Sequence, residues 1–395
     1  MPWEEVKPMD QKLLFIADHL REVTTFSELC HRYSISRKTG YKWVARYKEL
    51  GLEGLSDHSR RPLQHPWNTP HAVRKAIIEL RTTPRDSPGP KKIRVLLEQN
   101  HPDWDIPSKT TIYKILVAEG LVHPQRRRKR VPAGQLPFSP VNQPNDVWSA
   151  DFKGQFKTMD GTWCYPLTVM DHQSRFLLDC RIFEGTRLEP TKKTFETLFR
   201  EYGLPWRIRT DNGVPFASLS VGGLSQLSKW WIRLGIMPER IEPGKPQQNG
   251  QHERMHKTLK EATAIPPART SELQQQAFDD FRNRYNNERP HESLGQKTPA
   301  SLYIPSIRTM PDSLPELEYP GHFKVVQVQY NGIIYHQGHR IYIACLLQGE
   351  RVGIEEIADG VWNVFYGFLK LGSFDMRQVK RARNDYLRLM CNPCI

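Results

Sequence analysis

Three carboxylates near the middle of the chain stand where a hydrophobic core would not choose them. Asp151 interrupts an alternating run through Trp148, Ala150 and Phe152, where a carboxylate costs stability unless a cation satisfies it or it lies at the end of a sheet. Asp211 closes the run WRIRT, at the C-terminal strand end where mixed α/β sheets usually carry functional groups. Glu253 falls in the first turn of a polar helix whose apolar face runs through Met255, Leu259 and Ala262. If the two strands are neighbours, the three carboxylates converge. Such a cluster suits hard divalent cations, which take oxygen ligands and keep part of their water. Each residue also has a structural reading: Asp211-Asn212-Gly213 is a common turn, Glu253 suits a helix dipole, and Asp151 suits a sheet edge. Their order along the chain argues for a joint role.

The elements that must position them are legible around them. From Asn145 the runs VWSADFKGQF, TWCYPLTVM and RFLLDCRIF predict three strands in antiparallel meander order. A helix over EPTKKTFETLFREYG, a strand WRIRTD, a helix containing LSQLSKWWIRLG and a short strand near ERIEP follow. After the loop GKPQQNG come helices over about Gln251–Ala262 and Ser271–Asn286. Strands first, then alternating helix and strand, predict a central α/β mixed sheet covered by helices over residues 145–305.

The 395 residues carry a formal net charge of +14, which makes a polyanion a candidate partner. Residues 1–59 hold nine Lys and Arg against nine Asp and Glu, whereas residues 60–130 hold sixteen against six. The excess is local. It peaks at Arg126, Arg127, Arg128, Lys129 and Arg130, which open a basic, Pro-rich linker over residues 126–144. A solvated charge run is the plain alternative for those five residues. No run approaches the roughly 18 apolar residues of a membrane span, and the acidic start lacks a basic, then apolar, leader pattern. The expectation is a soluble, cytoplasmic protein without membrane contact. Six scattered cysteines are read as reduced thiols.

Ahead of the α/β region two all-α units are expected, over residues 1–58 and 66–125. In the first, helices over about Lys7–Leu20 and Phe26–Tyr33 precede the turn Ser34-Ile35-Ser36 and a third helix from Arg37, stopped by Gly51. This is a helix-turn-helix layout, with Arg37, Lys38, Tyr41 and Lys42 on the helix that enters a DNA major groove. A plain three-helix bundle is the alternative. The second unit repeats the outline over 71–82 and 90–99, with Ser108 capping a third helix. Ser108, Lys109, Thr110 and Lys114 on its first turns suit phosphate and base contacts. After Pro305, HFKVVQVQY and IIYHQGHRIYIACLL flank Asn331-Gly332, a strong two-residue hairpin signal. A small all-β barrel of about five strands is expected over residues 320–376, followed by a basic tail at 377–395.

The order Asp151 in a first strand, Asp211-Asn212-Gly213 after a fourth, and Asn249-Gly250-x-x-Glu253-Arg254 at a helix start resembles the ribonuclease H-like core of the DDE integrase and transposase superfamily. The stretches RTDNGVPFAS, KPQQNGQHERMHKTLKEAT and YNNERPHESLGQKTPASLY resemble bacterial insertion-sequence transposases in particular. That resemblance implies a DNA transposase or integrase that binds terminal repeats and cuts and joins strands by in-line phosphodiester displacement. It implies Asp151, Asp211 and Glu253 as catalytic and metal-binding residues for Mg²⁺ or Mn²⁺, two ions sharing Asp151. Its partners would be double-stranded DNA and, because two ends react, further copies of the chain. Lys257 and Lys260, following Glu253 at helical spacing, could hold DNA phosphates beside the metals, with a solvated helix surface as the plain alternative. Forty-one residues separate Asp211 from Glu253, more than is usual in the superfamily. The excess coincides with SLSVGGLSQLSKWW and is read as a longer loop.

Other readings compete. His252-Glu253-Arg254-Met255-His256 matches the H-E-x-x-H zinc metallopeptidase motif, but no third ligand is identifiable and Asp151 and Asp211 stay unexplained. The terminal Cys391-x-x-Cys394 lacks a second pair for a structural zinc. A DNA-binding regulator with an inactive nuclease-like core is the alternative from another class, opposed by the intact triad.

Overall fold

A computed structural model describes residues 8–22, 24–57, 68–83, 87–122, 138, 140–152, 154–218, 220–242, 245–381 and 386–390. The chain forms two compact units, Met1–Thr69 and Pro70–Ile395. The basic run Arg126–Arg130 and the terminal Cys391 and Cys394 lie outside the described residues.

In the first unit, α1 (Pro8–Leu20), α2 (Phe26–Arg32) and α3 (Arg37–Leu50) begin and end where local chemistry dictates. Thr25 and Glu28 form a reciprocal capping box at the start of α2, Ser36 accepts from the Thr39 N–H at 3.2 Å to start α3, and Gly51 stops it with φ +63°. Phe15, Ile16, Leu29, Cys30, Trp43, Val44 and Leu55 close the core.

The second unit opens with α4 (His71–Thr82), α5 (Pro90–Asn100) and α6 (Lys109–Ala118). Their apolar faces meet through Val73, Ile77, Ile93, Leu97, Ile112 and Leu116. Ser108 caps α6, accepting from the Thr111 N–H at 3.3 Å.

The mixed sheet follows. Strands β1 (Val147–Phe152), β3 (Trp163–Asp171) and β4 (Leu177–Phe183) run antiparallel in the order β4-β3-β1, and a two-residue strand β2 (Phe156–Lys157) pairs with the start of β3. Strands β5 (Arg207–Thr210) and β6 (Met237–Arg240) continue it in parallel beyond β1. The last lies a few residues before the ERIEP position expected for it. The period-2 alternation sorts the side chains between two layers of helices. Trp148, Ala150, Leu167, Val169 and Ile208 face α7 (Leu188–Tyr202) and α8 (Gln226–Arg233). Met170, Leu177 and Cys180 face α9 (Gly250–Thr263) and α10 (Ser271–Asn287). The α/β reading of the core therefore holds in its topology.

Gly203 ends α7 at φ +77°, and a Cβ there would meet the Ser306 and Arg308 carbonyl oxygens at 2.6 and 2.8 Å. Those carbonyls belong to a return segment tied to α7 by the Ser306 N–H to Tyr202 O (2.8 Å). Backbone cannot step aside as a flexible side chain can. Gly203→Ala should therefore cost about 1–3 kcal/mol, read as a lowered unfolding midpoint. Gly185→Ala, where no atom lies within 4 Å, serves as the near-neutral control.

The C-terminal part departs from the expected barrel. Strands β7 (Lys324–Gln327), β10 (Arg351–Ala358), β11 (Val361–Tyr366) and β12 (Leu369–Asp375) form one four-stranded sheet, and β8 (Ile333–His336), β9 (His339–Tyr342) and β13 (Tyr386–Arg388) form a separate three-stranded one. Among the described residues no closed barrel forms. Asn331-Gly332 does turn the chain, with both φ positive, but its flanking strands diverge: β7 pairs with β10 and β8 with β9. The hairpin instead closes one turn later, where Gln337 and Gly338 take positive φ between His336 and His339.

The long loop before α8 has a use that its sequence did not disclose. Leu224 and, from α8, Ile232 belong to the core of the C-terminal sheets, with Val221 packed against it. Lys229 adds an ion pair to Glu350 at 2.9 Å. The insertion is a docking surface rather than slack.

Candidate active site

Register brings the two aspartates together. Strand β1 pairs in parallel with β5 through Ser149↔Arg209 and Ala150↔Thr210, so Asp151 and Asp211 are the next residues on adjacent strands. Alternation sends Ser149 and Asp151 to the face opposite Trp148 and Ala150, which is the α9 face. Asp211 lies just past the end of β5, where its Oδ1 accepts from the Gly213 N–H at 3.0 Å. Asn212 donates to Ile241 O at 2.8 Å and fixes the turn.

Helix α9 is anchored beside them by two buried histidines. His252 Nδ1 meets Ser149 Oγ at 2.8 Å, and the Nε2 atoms of His252 and His256 each lie 2.6 Å from Thr168 Oγ1. Thr168 is the cross-strand partner of Asp151 and bonds its carbonyl oxygen at 3.2 Å. The hydroxyl's one proton and two lone pairs are all used when both imidazoles donate through Nε2 and Thr168 donates to that carbonyl. On its other edge His256 Nδ1 stands 3.7 Å from Asp151 Oδ2. Glu253, between the histidines in sequence, is exposed. The H-E-x-x-H match is thus accounted for by packing, with the imidazole edges directed at a threonine and the glutamate outside. Ser149 and Thr168 were not singled out from the sequence. Ser149 stands two places before Asp151 in β1 and Thr168 is a lone hydroxyl in an apolar run, which is their only signal there.

The donor set is all oxygen and not deeply buried, which fits a hard cation. Among the described residues, however, no three His, Cys, Asp or Glu side chains converge as metal ligands. Two other carboxylates are structural. Asp171 is buried, which raises its pKa, and accepts from the Asn145 and Ser174 N–H groups at 2.7 Å. Buried Asp179 lies 3.2 Å from Arg181 and 3.7 Å from Arg282.

Of the residues expected to touch DNA, Arg37, Lys38, Tyr41 and Lys42 are exposed on α3, with Tyr41 stacked on Phe26 at 4.2 Å. Lys109, Thr110 and Lys114 are exposed on α6 beyond the Ser108 cap. Lys257 and Lys260 are exposed on α9, Lys257 3.8 Å from Glu261.

Two other histidines give the second unit a pH response. Burial lowers His172 and His291 from 6.5 to about 3, helped by Arg209 and Arg175 near His172 and by Lys92 and Arg289 near His291. The unfolded chain takes up protons near pH 6.5 and the folded one only near pH 3. Their stabilising contribution is complete above 6.5 and shrinks as pH falls toward 3. The urea midpoint should drop on acidification below 6.5, and less so in His172→Gln.

Known families map onto the same segments. Integrase core domain models match residues 141–246 and 234–299, a helix-turn-helix domain matches 11–62, a homeodomain-like domain matches 39–116, and the C-terminal domain of IS481 family transposases matches 323–382. A 39.2 kDa uncharacterized protein of insertion element IS476 from Xanthomonas euvesicatoria is 27% identical over 274 residues, 69% of this chain and 76% of its own length. A 31.7 kDa uncharacterized protein of insertion element IS407 from Burkholderia multivorans is 27% identical over 199 residues, 48% of this chain and 67% of its own. The HTLV-2 integrase catalytic core domain, solved in complex with magnesium, aligns at 17% identity and TM-score 0.32 over 41% of this chain and 98% of that one.

Helix-turn-helix units ahead of an α/β integrase core make this an integrase-core protein with DNA-binding domains. These domain models and insertion-element relatives support a place among the insertion-sequence transposases of the DDE integrase superfamily.

Proposed function

We propose that the chain is the transposase of an insertion sequence: it binds the element's terminal repeats and catalyses cleavage and transfer of their strands. The observation that carries this reading is the register Ala150↔Thr210, which sets Asp151 and Asp211 on adjacent strand ends beside the helix that bears Glu253. These three carboxylates would hold two Mg²⁺ or Mn²⁺ ions. When bound, such ions supply an activated attacking oxygen and a stabilised leaving oxygen for in-line displacement at phosphorus. The chain's own groups do the rest. The His252 and His256 anchors keep α9 against β1 and β3, and Lys257 and Lys260 offer charge to backbone phosphates. The nucleophile is water in cleavage and a DNA 3′-OH in transfer, so no covalent enzyme adduct is needed.

The division into two DNA-binding units, a core and a C-terminal β region follows from the same reading, as does assembly of several copies on paired DNA ends. No helix of the described residues is long and apolar enough to cross a membrane, in keeping with work on cytoplasmic DNA. The test is a strand-transfer assay with Mg²⁺ or Mn²⁺ on duplexes ending in the element's repeats. Nicked and joined products support the reading. Tight binding to the ends without any product would leave a DNA-binding regulator with an inert core.

A further inference from the structure

Two hollows meet where the second helical unit touches the core. One, of about 590 Å³, is walled by Lys92 of α5, Arg175 of the β3–β4 turn, Gln251 and Arg254 of α9, and Arg289 and His291 after α10. The other, of about 490 Å³, is walled by Lys91, Lys92, Lys109 and Thr110, the last two on the exposed start of α6. They share Lys92 and Glu292. Glu292 is the one carboxylate among the described residues that line them, and it is ion-paired to Lys91.

The larger hollow is built for an anion. Four cationic side chains face it, and three polar atoms buried there have no hydrogen-bond partner: Arg175 Nε, Gln251 Oε1 and His291 Nε2. Two of these can be donors. A cation drawn from water without its bonds made costs free energy unless a ligand completes it. Arg175 is also held at φ +65°, a conformation uncommon for residues other than glycine and concentrated at ligand sites. Burial lowers its pKa, yet arginine stays charged in proteins. The α5 helix begins at the smaller hollow with Gly89 at its cap and no side chain satisfying the first N–H groups, so its dipole adds to the positive field.

We propose that the two hollows form one channel for a DNA backbone strand, with α6 on the duplex and a phosphodiester seated among Arg175, Arg254, Arg289 and Lys92. This rests on the transposase reading and adds a second role. The phosphate bridges helical unit and catalytic core, so duplex captured on α6 is delivered along the flank of the helix carrying Glu253. Glu292 holds the channel's mouth in the absence of DNA and is displaced from Lys91 when a phosphate arrives.

The test uses the full chain and a fluorescein-labelled DNA duplex, with affinity followed across salt concentrations. Arg254→Gln combined with Arg289→Gln, both at positions not fully buried, should lower the slope of log affinity against log salt by about one, the share of the single phosphate seated there. Glu292→Gln should tighten binding several-fold, a gain that misfolding cannot imitate. Lys193→Gln, on the exposed side of α7, should change neither. If wild type binds with a steep slope and the double variant keeps it, the channel is refuted and the transposase reading stands. If wild type shows no salt-dependent binding, the transposase reading itself fails. Inorganic phosphate is the second probe: protection of the wild type but not the double variant by phosphate, with duplex affinity equal in both, marks a small-anion site and overturns the proposal.

Discussion

Asp151→Asn is expected to abolish strand cleavage and joining, by roughly 10³-fold or more, while folding and DNA binding survive. The substitution preserves shape. Asp151 accepts from Thr168 through its carbonyl oxygen, which the variant retains, and its side chain is 19% exposed, so an amide finds water where the carboxylate did. What disappears is the anionic oxygen that a divalent cation needs. Asp211→Asn keeps the Oδ1 that accepts from the Gly213 N–H, and Glu253→Gln alters an exposed residue. All three amide variants should therefore unfold within about 0.5 kcal/mol of wild type and all should be inactive in the strand-transfer assay. If any one of them keeps more than a tenth of wild-type rate, that residue is not a ligand of the reacting centre. Equal loss in all three, with end binding unchanged, separates chemistry from recognition in a way that a deletion cannot.

How much of this was open to sequence reasoning depended on the distance over which each feature is decided. The helix limits around Thr25, Ser36, Gly51 and Ser108 are set by caps and stops within a few residues, so they were legible. The strands β1, β3 and β4 were legible because their alternation meets two different layers of helices. Asn331-Gly332 shows the boundary of the method. The dipeptide does make the tight turn, yet the preceding flank pairs with Arg351–Ile354, at least 24 residues away, and no local signal carries that choice. The barrel expectation failed for the same reason: alternation reveals strands and not their closure. The stretch before and into α8 reads in the sequence as excess length, but its purpose lies in Leu224, and Ile232 of α8, entering the core of the C-terminal sheets.

The site divides along the same line. Asp151, Asp211 and Glu253 stood out because each is a carboxylate in an unusual local place, whereas the groups that hold them in register are ordinary. His252 and His256 drew attention as a zinc-type pair, since i and i+4 share a helix face. Their partner, Thr168, lies 84 and 88 residues away. Arg175 opens the run RFLLDCRIF, which reads as a strand. Its place beside Arg254 and Arg289 depends on α9 and α10 crossing the sheet.

Thr168→Val should be the most damaging substitution outside the carboxylates, although it exchanges a β-branched residue for one of nearly the same shape. It removes the one hydroxyl that satisfies both imidazoles. Losing the Thr168 bond costs His252 Nε2 and His256 Nε2 about 1–3 kcal/mol each, and Asp151 O loses a donor as well. A total of about 2–6 kcal/mol follows, concentrated where α9 meets β3. Because the second unit contains several packed parts, global melting is a blunt measure. Hydrogen exchange of the α9 amides is the sharper one, since local opening reports local stability. Protection in α9 should fall by roughly 30-fold or more while α7, on the other face of the sheet, keeps its own. Thr168→Ser restores the hydroxyl and should recover most of the protection. The catalytic consequence follows from geometry: Glu253 rides on α9 and Asp151 on β1, so loosening their contact should lower strand transfer in Thr168→Val more than DNA binding. If α9 stays as protected in Thr168→Val as in wild type, the helix is held by Met255, Leu259 and Ala262 alone, and the histidines belong to its packing rather than to the alignment of the carboxylates.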